Sequence, residues 1–77
     1  MHLLISNLNK LTTSSHVVTL FLPFGIISSV KILMNLRSGR SEGSAMIEME
    51  TMAGRHAIVA LNNLHFMNHF IQVEESY

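Results

Sequence analysis

Glu42-Gly43-Ser44-Ala45-Met46-Ile47-Glu48-Met49 carries the periodicity of a strand. Successive side chains of an extended backbone point to opposite faces, so Ala45, Ile47 and Met49 share one side and Ser44, Met46 and Glu48 the other. The first set is wholly apolar, as a strand packed on a core requires. The second is mixed and is expected to face outward.

Upstream, residues 26–34 form a second such segment, rich in β-branched and aliphatic residues. Val30, Ile32 and Met34 fall on one side and Lys31 and Leu33 on the other. Between the two strands, Arg37, Ser38, Gly39 and Arg40 mark a polar hairpin loop. Downstream of Glu50, Thr51 is expected to cap a helix whose small and apolar residues Gly54, Ala57, Ile58 and Leu61 recur at helical spacing. Gly54 costs that helix about 1 kcal/mol relative to alanine, and close approach to the sheet is its expected use. Asn62 and Asn63 end the helix, residues 64–69 form a bend or short hairpin anchored by Phe66, and residues 70–74 form the last strand with Ile71 and Val73 inward.

At the other end, residues 2–8 make a strand with Leu3 and Ile5 inward and Leu4 outward. Thr13 is placed to cap a first helix over residues 14–22, whose Val17 and Phe21, with Leu20 and Phe24, form an apolar stripe. Pro23 cannot continue the hydrogen-bond ladder and Gly25 is expected to take a left-handed cap, so the two stop the helix. The order is βαββαβ, one domain over residues 1–77. An α+β chain is expected.

Seventy-seven residues place the chain near the size at which a single core becomes marginal, and without cysteine neither a disulfide nor a thiolate metal site supports it. Apolar residues at 48% against 13% charged argue for a packed chain and against disorder. Five basic and five acidic residues cancel. Nucleic-acid affinity rests on releasing phosphate counterions, so it would have to come from a local basic stripe. The most apolar window, residues 17–27, is interrupted by Pro23 and Gly25 and falls short of the roughly 20 residues a bilayer span needs. No basic run precedes an apolar segment at the N-terminus, so no secretion signal is expected. A cytoplasmic, reducing compartment is expected.

The order of elements, together with several short motifs in register, resembles the RNA recognition motif, which implies a ferredoxin-like fold with a four-stranded antiparallel sheet and two helices packed on one face. Leu3-Leu4-Ile5-Ser6-Asn7-Leu8 is similar to that family's hexamer of aliphatic, aromatic, aliphatic, any residue, Asn and Leu, departing at Leu4. The family's octamer runs Lys or Arg, Gly, aromatic, Gly or Ala, aromatic, aliphatic, any residue, aromatic. Gly43, Ala45 and Ile47 match it, whereas Glu42, Ser44, Met46 and Met49 do not. Leu20-Phe21, Phe24-Gly25 and Ala57-Ile58 with Ala60-Leu61-Asn62 resemble its helix signatures. The resemblance covers nearly the whole chain, which is similar to short bacterial proteins made of one such domain.

In that family RNA lies across the sheet, so the resemblance implies stacking positions at Leu4, Ser44 and Met46 and a phosphate position at Glu42. All four depart from the family. Losing base–aromatic stacking forfeits roughly 1–3 kcal/mol per base, and a carboxylate repels the backbone. The expected function is therefore weak or atypical single-stranded RNA binding. It would use Leu4, Ser6, Lys31, Leu33, Ser44, Met46 and Gln72 on the sheet, Arg37 and Arg40 in the loop, and Tyr77 beyond the last strand, with Lys10 nearby. Taken singly, each basic residue is a solvated charge.

The alternative is a protein-interaction or homodimerisation face, with Leu4, Met46 and Leu33 as one apolar row and methionine as an adaptable contact. Such a row exposes only about 300 Å², within the range of ordinary monomers. An enzyme, a cofactor, a bound metal, a small-molecule substrate and a membrane partner are not expected. His65 and His69 have the spacing of a ligand pair only on a helix, and their segment reads as a bend. His16 and His56 fit outer helix faces, and Glu42, Glu48, Glu50, Glu74 and Glu75 read as solubilising charges.

Overall fold

Four strands form one antiparallel sheet in the computed structural model, which describes residues 1–77. In chain order the elements are β1 (His2–Ser6), α1 (Ser14–Phe21), a 3-10 turn (Leu22–Phe24), β2 (Ile27–Met34), β3 (Ser41–Met49), α2 (Thr51–Leu61), β4 (His65–Phe66), β5 (His69–Phe70) and β6 (Gln72–Ser76). The sheet runs β2-β3-β1-β6, and β4 with β5 makes a separate ribbon. This is the ferredoxin-like architecture that the family resemblance implies. No helix is long and apolar enough to cross a membrane.

The strand alternation is realised in the core. Leu3, Ile5, Ala45, Ile47, Met49, Ile71 and Val73 are buried from the sheet side, against Val17 and Phe21 of α1 and Ala53, Ala57 and Leu61 of α2. Leu20 and Phe24 complete the stripe as half-buried side chains. The helices take the inner face; the other face of the sheet stays open.

Several local expectations need correction. β1 stops at Ser6 because Asn7 turns the chain with φ 58, and Leu8 is buried beyond it. α1 ends at Phe21, one residue early, because Pro23 at the second position of the 3-10 turn tightens the chain from Leu22 onward. Thr13 caps α1 as expected, and His16 reciprocates. The Thr13 N–H donates to His16 Nδ1 at 3.0 Å, so an imidazole stands where a capping box usually has Glu or Gln. Gly25 is not a left-handed cap but extended (φ 158, ψ −177), and a Cβ there would lie 2.8 Å from the Ala53 Cβ. Its smallness lets the end of the α1 segment lie against α2. Met34 leaves the side of Val30 and Ile32, since the pairing slips between Leu33 and Met34 and exposes it. The last strand begins at Gln72, because Phe70 pairs with His65 in the ribbon instead.

Glu50, not Thr51, caps α2. Its Oε1 and Oε2 accept from the Met52 and Ala53 N–H groups, each at 3.0 Å, and two backbone donors outdo the single acceptor of a threonine hydroxyl. Those two hydrogen bonds, first Met52 and then Ala53, hold the Glu50 carboxyl below the ordinary glutamate range, with lesser pulls from the N-terminal ammonium and His56. A depressed folded value means that the cap contributes fully above the unfolded pKa and is lost as pH falls through the folded one. Thermal melts from neutral pH to about pH 3 should therefore show the wild type losing more stability than Glu50→Gln across that window. Parallel losses would remove Glu50 as the cause.

Candidate nucleic-acid interface

Residues paired across antiparallel strands present their side chains on the same face, so the register of the sheet writes out the open surface. Met46 stands opposite Lys31 on β2 and Leu4 on β1, and Leu4 stands opposite Glu74 on β6. One row thus crosses all four strands as Lys31, Met46, Leu4 and Glu74. Toward the β2–β3 loop, Leu33 pairs with Ser44 and Ser6 with Gln72. Toward the other end, Ser29 pairs with Glu48, Glu48 with His2, and His2 with Ser76.

The expected apolar row of Leu4, Met46 and Leu33 is not straight. Lys31 occupies the place beside Met46, and Leu33 lies one pair further along, next to Ser44. Leu4, Met46 and Leu33 are each half-buried by their neighbours, while Lys31 and Glu74 are exposed. Glu48 is engaged by His2, whose Nε2 lies 2.8 Å from Glu48 Oε2. Glu48 and Glu74 both stand on this face, and one has a partner.

The loop between β2 and β3 is built by its own polar atoms. Asn35 Oδ1 accepts from the N–H groups of Arg37 and Ser38 at 2.9 and 3.0 Å, the Asx arrangement that asparagine favours in turns. Ser38 Oγ accepts from the Arg40 N–H at 3.2 Å, and the Asn35 N–H closes the loop on the Arg40 carbonyl at 2.7 Å. Gly39 takes the left-handed conformation (φ 71) that the closure needs. Arg37 and Arg40 are carried on this frame with both side chains exposed.

Lys10, from the segment after β1, joins Asn35, Ser38, Arg40, Ser41 and Glu42 around a depression of about 320 Å³ with no apolar residue in its wall. Two cations face one carboxylate there, and Glu42 pairs with neither. The surplus positive charge sits at the position where the family resemblance puts a phosphate, although the octamer's own first residue is acidic. Tyr77 lies fully exposed beyond Ser76, at the far end of the face from Arg37 and Arg40. Gln72 leans to the sheet edge, where its Nε2 donates to Asn63 Oδ1 at 2.7 Å.

The short hairpin expected around Phe66 is present as the β4–β5 ribbon, and the sequence reading missed only that Phe70 belongs to it. Phe70 and His65 form an exposed ring pair beside Gln72, with centroids 5.0 Å apart. The signal was present: Phe70 alternates with Ile71, Gln72 and Val73, which puts Phe70 and Gln72 together on the side away from the core.

The family described as RNA recognition motif matches residues 3–72. Among solved structures, the crystal structure of RNA binding protein PG1 is 27% identical with a TM-score of 0.94, covering 99% of this chain and 93% of that one. The Sex-lethal RNA recognition domains 1 and 2 from Drosophila melanogaster are 25% identical with a TM-score of 0.91, covering 99% of this chain and 49% of that one. This chain thus spans about half of the Sex-lethal chain. The Rna15 RRM with bound RNA (GU) is similar in fold, with 21% identity, a TM-score of 0.86 and coverage of 97% and 81%. No curated protein matches the chain by sequence.

Proposed function

The chain belongs to the RNA recognition motif family, and from that premise we propose that it is a single-stranded RNA-binding module that works without the family's central rings. The observation that carries this reading is the charge arrangement around the open face. Lys31 stands within the central row, and Lys10 and Arg40 meet at the depression beside its β3 end, none of them tied up in an ion pair. The half-buried Leu4–Met46 pair offers a flat apolar surface on which a base can lie by contact, at less gain than a ring would give. Further support comes from the RNA bound to the similar Rna15 domain. A protein-contact or homodimer face has less behind it, because Lys31 and Glu74 bracket the apolar pair and Leu33 is offset from it.

Binding of this kind is weak and driven by counterion release. With phosphates at Lys10, Lys31 and Arg40, log K should fall with log salt at a slope of about −2, from roughly −0.7 per phosphate on a single strand. Amide chemical-shift titration with short random single-stranded RNA at low and high salt tests this. Salt-sensitive shifts at Leu4, Leu33, Ser44, Met46 and residues 37–40 are expected. A spectrum unmoved by RNA, yet broadened on raising protein concentration, would transfer the face to protein contact.

A further inference from the structure

The geometry points to a displaced base-stacking site: the Phe70 ring, braced by His65 on the β4–β5 ribbon, receives a nucleobase at the β6 corner of the sheet. This rests on the RNA-binding reading of the face and gives it a ring that the centre lacks.

Of the four phenylalanines, Phe21 is fully buried, Phe24 and Phe66 are half-buried against the core, and Phe70 is 61% exposed. The ribbon separates the two roles. Phe66 pairs with His69 and packs inward, while the neighbouring pair, His65 with Phe70, turns the other way. The His65 and Phe70 rings meet at 60° with centroids 5.0 Å apart, a tilted contact that leaves most of the Phe70 ring exposed.

The ribbon is also fixed to the sheet. Met67 and Asn68 both have positive φ (49 and 66), the backbone of a two-residue turn that matches strand twist. Asn9 Nδ2 donates to the Met67 carbonyl and Asn7 Nδ2 to the Phe70 carbonyl, each at 3.0 Å, and the buried Thr12 hydroxyl lies 3.6 Å from Met67 Sδ. An exposed ring on a well-held turn has already lost the freedom that binding would otherwise remove.

Placement joins this ring to the rest of the face. Phe70 and Gln72 are both exposed and flank the buried Ile71, the alternation that puts the two on one side, and Gln72 pairs with Ser6 at the end of the sheet that carries Ser44, Leu33 and the basic loop. From β2 to β6 that end spans three strand spacings, about 14 Å. A strand of RNA with its phosphates at Arg40 and Lys10 and a base on Phe70 would run across it. Because Asn63 holds the amide nitrogen of Gln72, the carbonyl Oε1 remains to accept from a base amine.

The test compares wild type, Phe70→Leu and Phe70→Trp for binding of a short single-stranded oligouridine and a random-sequence oligonucleotide at low salt, by fluorescence anisotropy and amide shifts. Leucine keeps the apolar bulk at this exposed position without the ring, and tryptophan keeps a ring. We expect Phe70→Leu to weaken binding roughly 5- to 150-fold, Phe70→Trp to bind at least as well as the wild type, and the His65 and Phe70 amides to shift with those of Met46 and Leu4. Wild-type binding with Phe70→Leu unchanged overturns the corner site while leaving the RNA-binding reading standing. Equal weakening in both variants overturns it too, because the ring would not be what matters. Failure of the wild type to bind either RNA overturns the RNA-binding reading and the corner site together.

Discussion

Phenylalanine at both Ser44 and Met46 raises the affinity of this domain for single-stranded RNA by roughly 30-fold or more, taking the low end of about 1 kcal/mol for each stacked base. Both side chains stand on the open face, neither in the core, and their neighbours there are Leu33 for Ser44 and Lys31 with Leu4 for Met46. Each new ring therefore has a lateral support and a free outer side. Glu42→Arg in the same background should add a phosphate contact beside Lys10 and Arg40 and steepen the salt dependence by about 0.7 in slope. Folding stability should change little, as befits substitutions away from buried contacts. Fluorescence anisotropy with labelled oligonucleotide measures the gain. If the doubly substituted domain binds no better than wild type, RNA does not cross this face, and the proposed function goes with it.

Gly43→Val should cost the fold roughly 3 kcal/mol, lowering the melting temperature by about 12–24 °C in a domain of this size. Two penalties combine at that residue. Its φ of 78 is a left-handed conformation that costs an L residue about 1–2 kcal/mol and suits a β-branched one worst. A Cβ there would also lie 2.8 Å from the Leu8 carbonyl oxygen, a backbone atom. Leu8 cannot withdraw freely, because its own N–H donates to the Gly43 carbonyl at 2.8 Å and its side chain is buried. Gly39→Val is the control. Gly39 has a similar φ of 71 but nothing within 4 Å of a Cβ, so its substitution measures the conformational cost alone. Equal losses at the two glycines, followed by circular dichroism on heating, would refute the close contact as a separate cost.

These two expectations show where sequence was sufficient and where it was not. The inward positions, Leu3, Ile5, Ala45, Ile47, Ile71 and Val73, were legible because burial imposes a period of two on each strand, and the family motifs place Gly43 without explaining it. The side of a strand is a local property; its partner across the sheet is not. That Lys31 and not Leu33 lies beside Met46 depends on slips in the β2–β3 pairing, which leave no mark in either strand alone. The cap at Glu50 was hidden for a different reason. Glu50 and Thr51 are both competent acceptors at adjacent positions, and the choice rests on which reaches two N–H groups. Gly25 was assigned a turn role when its use is a contact with Ala53, distant in sequence. Phe70 was placed inside the last strand and so received no role of its own, because the ribbon is only two residues long on each side.

The two borders of the sheet have a consequence for the behaviour of the protein at high concentration. An unpaired edge is a template on which further copies can add strands and grow into a fibre. At β6 the Val73 N–H is already taken by Asn62 Oδ1 and the Ile71 carbonyl by the Asn63 N–H, and Glu74 and Glu75 charge the remainder. At β2 the pairing is irregular near both ends and Lys31 stands in the middle. Neither border presents a long, flat, neutral run. A domain of zero net charge lacks the mutual repulsion that keeps many proteins apart, and irregular, charged borders of this kind disfavour strand addition by other means.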